Sequence, residues 1–115
     1  MPCNRGDIAL VLFPDSNLRT ANRRPALVVQ ANNLGTRLPQ TIVAMITSNL
    51  TRAGHASRIS VSLATPEGKA AGLLSDSVIM TDNLATVLDT EIDRVIGVWL
   101  QMEKVDGALR HTLGL

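Results

Sequence analysis

Short runs of β-branched and apolar residues, each bounded by turn-forming residues, recur along the whole chain and constrain its fold more than any other feature. This pattern favours a small β-rich fold over a helical bundle. We predict strands over residues 7–13, 25–30, 41–47, 58–63 and 77–81, with a sixth over 97–100. The chain has 115 residues, of which 45% are hydrophobic. It should therefore form a single domain spanning residues 1–115.

Two helices are predicted near the C-terminal end of the sequence. Thr90 and Asp93 have the spacing of a capping box, and Ile92, Val95 and Ile96 would then share one helical face. A second apolar stripe has helical spacing and ends at a glycine; its members are Met102, Val105, Leu109, Leu113 and the terminating Gly114. The expected fold is a mainly β, strongly curled sheet of five or six strands with the C-terminal helix packed against it.

The charge of the chain is unevenly distributed. The formal net charge is only +1. Residues 1–58, however, hold seven arginines against two aspartates, whereas residues 59–115 hold four basic and eight acidic side chains. Such asymmetry suggests contact with a nucleic acid or another polyanion, and arginine is the side chain that binds phosphate in a bidentate manner.

Several classes of protein are excluded by composition. The longest stretch without charge covers residues 38–51 and is polar as well as too short to span a membrane. The first apolar run is too short for a secretory signal, so we expect a cytoplasmic protein without membrane contact. The lone Cys3 and the two histidines, His55 and His111, offer no metal-ligand spacing, so we expect no metal and no cofactor.

Three arginines around the first long loop are candidate phosphate-binding residues. Arg19 lies in the polar segment 14–23, and Arg23 and Arg24 precede Pro25. The residue before a proline is extended, so the side chains of Arg23 and Arg24 should point to opposite sides of the backbone. We therefore expect only one of them to face a pocket.

A second group of candidates follows the most apolar predicted strand. Thr47, Ser48 and Asn49 place hydroxyl and amide groups where a buried strand ends, and such groups can hydrogen-bond a phosphate or simply end the strand. Asp82 follows the strand over 77–81, where the dipeptide Asp82-Asn83 favours a turn. We keep Ser48, Asn49 and Asp82 as candidate substrate-binding residues.

Nucleophilic or histidine-based catalysis has little support. His55 is predicted in a loop, and His111 in the last turn of the C-terminal helix, where a cation suits the helix dipole. Cys3 has no nearby histidine or helix start that would lower its pKa. We interpret all three as non-catalytic.

Seven segments, in order along the chain, resemble those of one known family. They are Arg5-Gly6-Asp7-Ile8, Arg23-Arg24-Pro25-Ala26-Leu27-Val28-Val29, Ile46-Thr47-Ser48, Asp76-Ser77-Val78-Ile79, Asp82-Asn83-Leu84-Ala85-Thr86-Val87, Ile96-Gly97 and the C-terminal segment 105–115. In type and spacing they resemble the MazF/PemK toxins over essentially the whole chain.

The resemblance implies a small SH3-like β-barrel of the CcdB/MazF type, a homodimer and inhibition by a cognate antitoxin protein. It also implies a metal-independent endoribonuclease that cuts single-stranded RNA, mainly mRNA, with Arg24 and Thr47 in catalysis. RNA carries its own nucleophile, the 2′-hydroxyl, so alignment and charge stabilisation suffice for cleavage. Arg19 and Arg23 would then hold flanking phosphates.

The chain also departs from the family pattern. Some members carry an arginine two residues before the aspartate of the later strand, where this chain has Met80 before Asp82. Many members have a glutamate in the first long loop, where this chain has only Asp15. Two alternatives therefore stay open: a toxin-like protein that grips another protein, as gyrase poisons do, and an RNA-binding barrel without catalysis. The first is disfavoured, because those poisons use an aromatic C-terminal tail that this chain lacks.

Overall fold

The computed structural model describes residues 3–14 and 21–115, which contain six strands and two α-helices. The strands are β1 (Asp7–Pro14), β2 (Ala21–Val28), β3 (Gln40–Thr47), β4 (Arg58–Val61), β5 (Ser77–Leu88) and β6 (Ile92–Val98). The helices are α1 (Pro66–Ala70) and α2 (Met102–Leu113), and single 3-10 turns occupy Leu50–Arg52 and Asp89–Glu91. All strand pairs are antiparallel, in the order β4-β5-β3-β2-β1-β6. The prediction of a mainly β fold with a C-terminal helix is confirmed.

Apolar side chains on the two sides of the sheet form two clusters. Helix α2 packs on one side, where its buried Val105 and Ala108 join a cluster that includes Ile8, Leu27 and Trp99. The second cluster lies across the sheet and is formed mainly by valines and alanines of β1, β2 and β3. Because alternate residues of a strand point to opposite faces, β1 and the second half of β2 contribute side chains to both clusters, and their sequences there are nearly continuous in apolar residues.

Helix α2 begins and ends close to its predicted limits. Gly114 adopts a left-handed conformation with φ 71°, which ends the helix as predicted. Leu113 was predicted to belong to the buried face of the helix but is 54% exposed, whereas Ala108, which was not predicted, is buried on that face. The helix is tied to the start of β1 by an ion pair, in which the Arg5 guanidinium donates to Asp106 Oδ1 at 2.6 Å.

Strand β2 starts four residues earlier than the predicted strand over 25–30, so Pro25 lies inside it rather than at its first position. Pro25 is paired with Leu10 of β1, but β3 pairs only with residues 26–28 of β2. Among the described strands, the first part of β2 therefore has a neighbour on one side only, and such a position accommodates a residue without a backbone N–H.

Strand β5 runs seven residues beyond the predicted end at Thr81. Its pairing with β3 jumps from Met80 to Leu84, so residues 81–83 form a bulge. The predicted turn at Asp82-Asn83 is therefore wrong, although the same turn-forming residues do interrupt regular pairing. The buried Thr81 hydroxyl donates to Ser57 O at 2.6 Å, and this contact satisfies its side chain within the bend.

The predicted helix around residues 90–96 is wrong, and the predicted strand over 97–100 is misplaced. Strand β6 covers Ile92–Val98, preceded by the 3-10 turn Asp89–Glu91. The predicted capping box of Thr90 and Asp93 is also wrong: the N-cap of the 3-10 turn is Leu88, whose N–H donates to Glu91 Oε1 at 2.8 Å. Residues 92–98 are rich in β-branched side chains, and pairing with β1 makes them a strand.

Helix α1 lies between the predicted strands over 58–63 and 77–81, where no helix was predicted. Thr65 is its N-cap and accepts from Gly68 N at 3.1 Å, and Pro66 fills the first helical position. Thr65 also donates to Ser62 O at 2.7 Å, so the chain turns away and β4 ends at Val61 instead of residue 63.

The end of helix α1 rests directly on the backbone of β6. A Cβ atom at Gly97 would lie 2.2 Å from Ala71 O, and a Cβ atom at Gly72 would lie 2.0 Å from Ile96 O. Gly72 also has φ +72°. Only glycine fits either position, and the contact fixes the segment 72–75 beside the sheet. In the described part of the chain, no helix is long and apolar enough to cross a membrane.

Candidate active site

A cavity of about 500 Å³ lies beside the segment 72–75, where β1, β2, β3 and β6 come together. Leu10 of β1 is paired with Pro25 of β2 on one side and with Arg94 of β6 on the other. All three residues line the cavity, together with Ile46 and Ile96. These five residues come from four strands, so sheet pairing holds the cavity in shape.

Both arginines that precede Pro25 line this cavity, so the expectation that only one would face a pocket is wrong. Arg23 is paired with Leu12 of β1 and Arg24 with Val11. Since β3 does not pair with this part of β2, the strand is open on one side and groups on both of its faces reach the cavity. The Arg23 guanidinium forms an ion pair with Asp93 Oδ2 at 3.3 Å.

Thr47 lies at the end of β3 and also lines the cavity, followed by Ser48. Its Oγ1 accepts a hydrogen bond from Asn49 N at 3.1 Å. This bond occupies one lone pair of the hydroxyl and orients it, and the hydroxyl proton stays available to donate to a ligand oxygen. The structure thus brings together four of the predicted site residues: Arg23, Arg24, Thr47 and Ser48.

Two other predicted site residues lie outside the lining of this cavity. The Asn49 side chain accepts from Thr51 N at 3.2 Å and from Thr51 Oγ1 at 2.7 Å, and so caps the 3-10 turn that follows β3. Asp82 forms a bidentate ion pair with Arg58, at 2.8 Å and 3.3 Å. The hydrogen bond and charge of Arg58 lower the pKa of Asp82. Arg19 and Asp15 lie outside the described residues.

Sequence reasoning missed three polar residues that line the cavity: Ser75, Ser77 and Arg94. The buried Ser77 donates from Oγ to Ser75 O at 2.9 Å, so its hydroxyl supports the wall. Arg94 was missed because residues 90–96 were assigned to a helix. A strand assignment would have placed it opposite β1, next to the cavity.

The cavity is electrostatically positive in its described lining. Within residues 3–14 and 21–115, the guanidinium groups of Arg24 and Arg94 form no ion pair, and the charge of Arg23 is offset by Asp93. The described lining holds no carboxylate. The arrangement suits an anionic ligand that also needs hydroxyl donors, such as a phosphodiester.

The histidines lie close to each other but do not line the cavity. The rings of His55 and His111 are 6.0 Å apart between centroids, at 65°. His55 Nδ1 accepts from Ser57 N at 3.1 Å, so its position is fixed by the turn before β4. The two histidines are therefore close to each other, but neither lines the cavity that contains Arg24.

Cys3 lies beside a second, smaller cavity of about 190 Å³ on another part of the surface. Partial burial and then the nearby charges of Asp7 and Asp89 raise the pKa of its thiol. A raised pKa disfavours the thiolate, which is the nucleophilic form. Among the described residues, no three or more His, Cys, Asp or Glu side chains are arranged to hold a metal ion.

Comparison with known proteins adds family information to this geometry. A family model described as "PemK-like, MazF-like toxin of type II toxin-antitoxin system" matches residues 4–113. No curated protein sequence matches the chain.

Several solved structures share the fold at low sequence identity. The Mycobacterium tuberculosis toxin MazF-mt6 is 23% identical, with 95% of this chain and 97% of that chain covered and a TM-score of 0.73. An endoribonuclease in complex with its cognate antitoxin, from Mycobacterial species, is 21% identical, with coverages of 98% and 96% and a TM-score of 0.73. MazE-MazF (Form-III) from Deinococcus radiodurans is 18% identical, with coverages of 100% and 99% and a TM-score of 0.74. These matches confirm the predicted MazF-type fold.

Proposed function

The chain belongs to the PemK-like, MazF-like toxins of type II toxin-antitoxin systems, and on that premise we propose that it is an endoribonuclease that cuts single-stranded RNA, principally mRNA. One observation carries the proposal. Arg24, with no ion pair among the described residues, and the Thr47 hydroxyl line the same cavity. Solved structures titled endoribonuclease share the fold, which further supports it.

The proposed reaction uses the 2′-hydroxyl of the substrate as the nucleophile. The 2′-oxygen forms a bond to phosphorus, and the bond between phosphorus and the 5′-oxygen breaks. The 2′-hydroxyl proton passes to solvent, and the departing 5′-oxygen takes up a proton from solvent. The products are a 2′,3′-cyclic phosphate and a 5′-hydroxyl, and no metal or cofactor takes part.

Arg24 and Thr47 act on the charge that develops at phosphorus. The Arg24 guanidinium holds two non-bridging oxygens and stabilises the dianionic transition state, as preorganised donors do in other enzymes. It has no acceptor atom, so it does not serve as the general base. Thr47 donates its hydroxyl proton to one phosphoryl oxygen, and Ser48 supports the same edge of the cavity.

The test is cleavage of single-stranded RNA in EDTA by the wild type and by Arg24→Ala. Loss of one such donor should lower kcat by about 10² to 10³-fold, and Thr47→Ala should lower it by a smaller factor. Arg37→Ala is the matched control, because Arg37 is an exposed arginine outside the larger cavity. Equal activity of Arg24→Ala and the wild type would refute the mechanism.

The nucleophile is tested separately with modified substrates. An RNA that carries 2′-deoxyribose only at the cleaved nucleotide should not be cut, because the attacking oxygen is missing. A terminal 2′,3′-cyclic phosphate should be detected by mass spectrometry of the products of the unmodified RNA. Cutting of the deoxy substrate would mean that another nucleophile acts.

We propose two protein partners for this toxin. The first is a cognate antitoxin whose acidic segment covers the positive cavity, and its inhibition should weaken as salt increases. The second is another copy of the chain. The described surface leaves large apolar side chains exposed, including Leu74, Leu88 and Leu100, which supports a homodimer. A monomer by light scattering at the concentrations of the cleavage assay would contradict the dimer.

A further inference from the structure

Arg94 lies on β6 at a point where the strand is irregular. Relative to β1, β6 carries one extra residue at Ile96 and another at Asp93. Such bulges redirect the side chains next to them. Here Asp93 reaches the Arg23 guanidinium of β2, and Arg94 lines the cavity that also contains Arg24.

The charge of Arg94 is available for a ligand. Its neighbour Asp93 is engaged by Arg23 at 3.3 Å, and the Arg94 side chain forms no ion pair or hydrogen bond within residues 3–14 and 21–115. An exposed guanidinium held beside a cavity without a described carboxylate favours an anion.

Arg24 and Arg94 stand on opposite sides of β1. Leu10 of β1 pairs with Arg94 of β6 and with Pro25 of β2, the residue after Arg24. Neighbouring strands lie about 4.8 Å apart, so the backbones of β2 and β6 are separated by about 10 Å. A cavity of about 500 Å³ is larger than one phosphate needs, and the two arginines approach it from different sides.

We propose that Arg94 binds the phosphate next to the scissile phosphate, so that Arg24 and Arg94 hold two consecutive phosphates of the RNA; this inference rests on the proposed endoribonuclease function. Arg94 is a substrate-positioning residue. It contributes to binding in the ground state and in the transition state alike, and so acts on KM more than on kcat.

The position of Met80 agrees with this assignment. Met80 packs against the second apolar cluster and does not line the cavity. The cation that joins Arg24 without an ion-pair partner among the described residues is therefore Arg94 of β6, on the far side of β1 from Arg24, and not a residue of β5.

The first test compares the wild type with Arg94→Gln, using a single-stranded RNA made uncleavable by a 2′-deoxy nucleotide. Arg94→Gln should raise Kd about 10-fold and reduce the slope of log Kd against log salt by about 0.7, the value for one phosphate contact on a single strand. Arg94→Lys should keep the slope, because lysine also binds phosphate as a point charge. Arg37→Gln removes the same charge outside the larger cavity and is the matched control; it should leave Kd and the salt slope unchanged.

The second test identifies the phosphate. Neutral methylphosphonates replace, one at a time, the two phosphates that flank the scissile one. At one position the wild type should lose about 10-fold in affinity, and Arg94→Gln should lose nothing further, because the contact is already absent. Independent losses at both positions would overturn the proposal, as would an unchanged salt slope in Arg94→Gln.

Kinetics and folding separate the possible failures. Arg94→Gln should raise KM about 10-fold and leave kcat within about threefold of the wild type, with an unchanged thermal transition. If the wild type cuts RNA and Arg94→Gln binds it normally, the proposal fails and the endoribonuclease stands. If the wild type binds RNA without cutting it, the endoribonuclease fails, and the salt slope still decides on Arg94. A wild type that does not bind RNA refutes both.

Discussion

Replacing Gly97 by alanine should destabilise the fold by about 3 kcal/mol. The added Cβ would lie 2.2 Å from Ala71 O, 2.3 Å from Ala71 C and 2.6 Å from Ala70 O, whereas ordinary contacts begin near 3.4 Å. The carbonyl of Ala71 would have to retreat by more than 1 Å, and all three atoms belong to backbone. Overpacking costs about 1 to 3 kcal/mol when side chains can adjust, so a backbone clash belongs at the upper end.

The assay is thermal and urea unfolding followed by tryptophan fluorescence. Trp99 is the single tryptophan and is 2% exposed, so its emission should change on unfolding. For 115 residues the unfolding entropy is about 0.24 kcal/mol/K, and a loss of about 3 kcal/mol lowers Tm by about 12 °C.

Gly107→Ala is the matched control, because it makes the same chemical change in a different environment. Gly107 lies in helix α2 with nothing within 4 Å of its added Cβ. Alanine there should stabilise the protein by up to about 1 kcal/mol. The two substitutions should thus have opposite signs. If Gly97→Ala unfolds within about 0.5 kcal/mol of the wild type, the close contact between α1 and β6 is not as described.

Two further predictions concern titratable groups. Because Arg58 lowers the pKa of Asp82, the folded state binds a proton at this site at lower pH than the unfolded state does. The pair therefore stabilises the fold above about pH 4 and loses this effect as pH falls through the folded pKa. The difference in urea midpoint between the wild type and Asp82→Asn should be small at pH 7 and shrink toward pH 2; a difference that grows on acidification would contradict this. Since the pKa of Cys3 is raised, iodoacetamide at pH 7.5 should alkylate it more slowly in the folded protein than in urea, and the reverse order would refute the assigned environment.

The parts of the fold that the sequence predicted are those where local pattern and tertiary pairing agree. Strands β1 and β3 have nearly continuous apolar residues and form within one residue of their predicted bounds. The C-terminal helix has a periodic apolar stripe and ends at Gly114, which adopts the left-handed conformation that glycine favours.

The errors arise where strand pairing overrides a local pattern. Thr90 and Asp93 have the spacing of a capping box, but Leu88 and Glu91 cap a single 3-10 turn instead, and residues 92–98 pair with β1 as a strand. Asp82 and Asn83 interrupt strand pairing as turn residues do, but within a bulge rather than at a chain reversal. A single sequence does not show which partner strand lies beside such a segment.

The same errors limited the prediction of the site. Arg24 and Thr47 were candidates from their places beside a proline and at a strand end, the resemblance to the MazF/PemK toxins singled them out, and both line the cavity. Arg94 belongs to a strand that was read as a helix, so its position opposite Leu10 could not be foreseen. Residue chemistry alone therefore did not reveal Arg94; finding it required knowing that β6 is a strand paired with β1.

Strand β6 also lies at one end of the sheet, and the side facing away from β1 pairs with no other described strand. An edge of this kind is a template for aggregation, since its free backbone groups can recruit a strand from another molecule. The extra residues at Asp93 and Ile96 break the regular spacing that an incoming strand would need, and Asp93 and Arg94 place charges at the same edge. Removal of these extra residues from β6 would therefore allow a strand of another molecule to pair with it, and would also turn the Arg94 side chain away from the cavity.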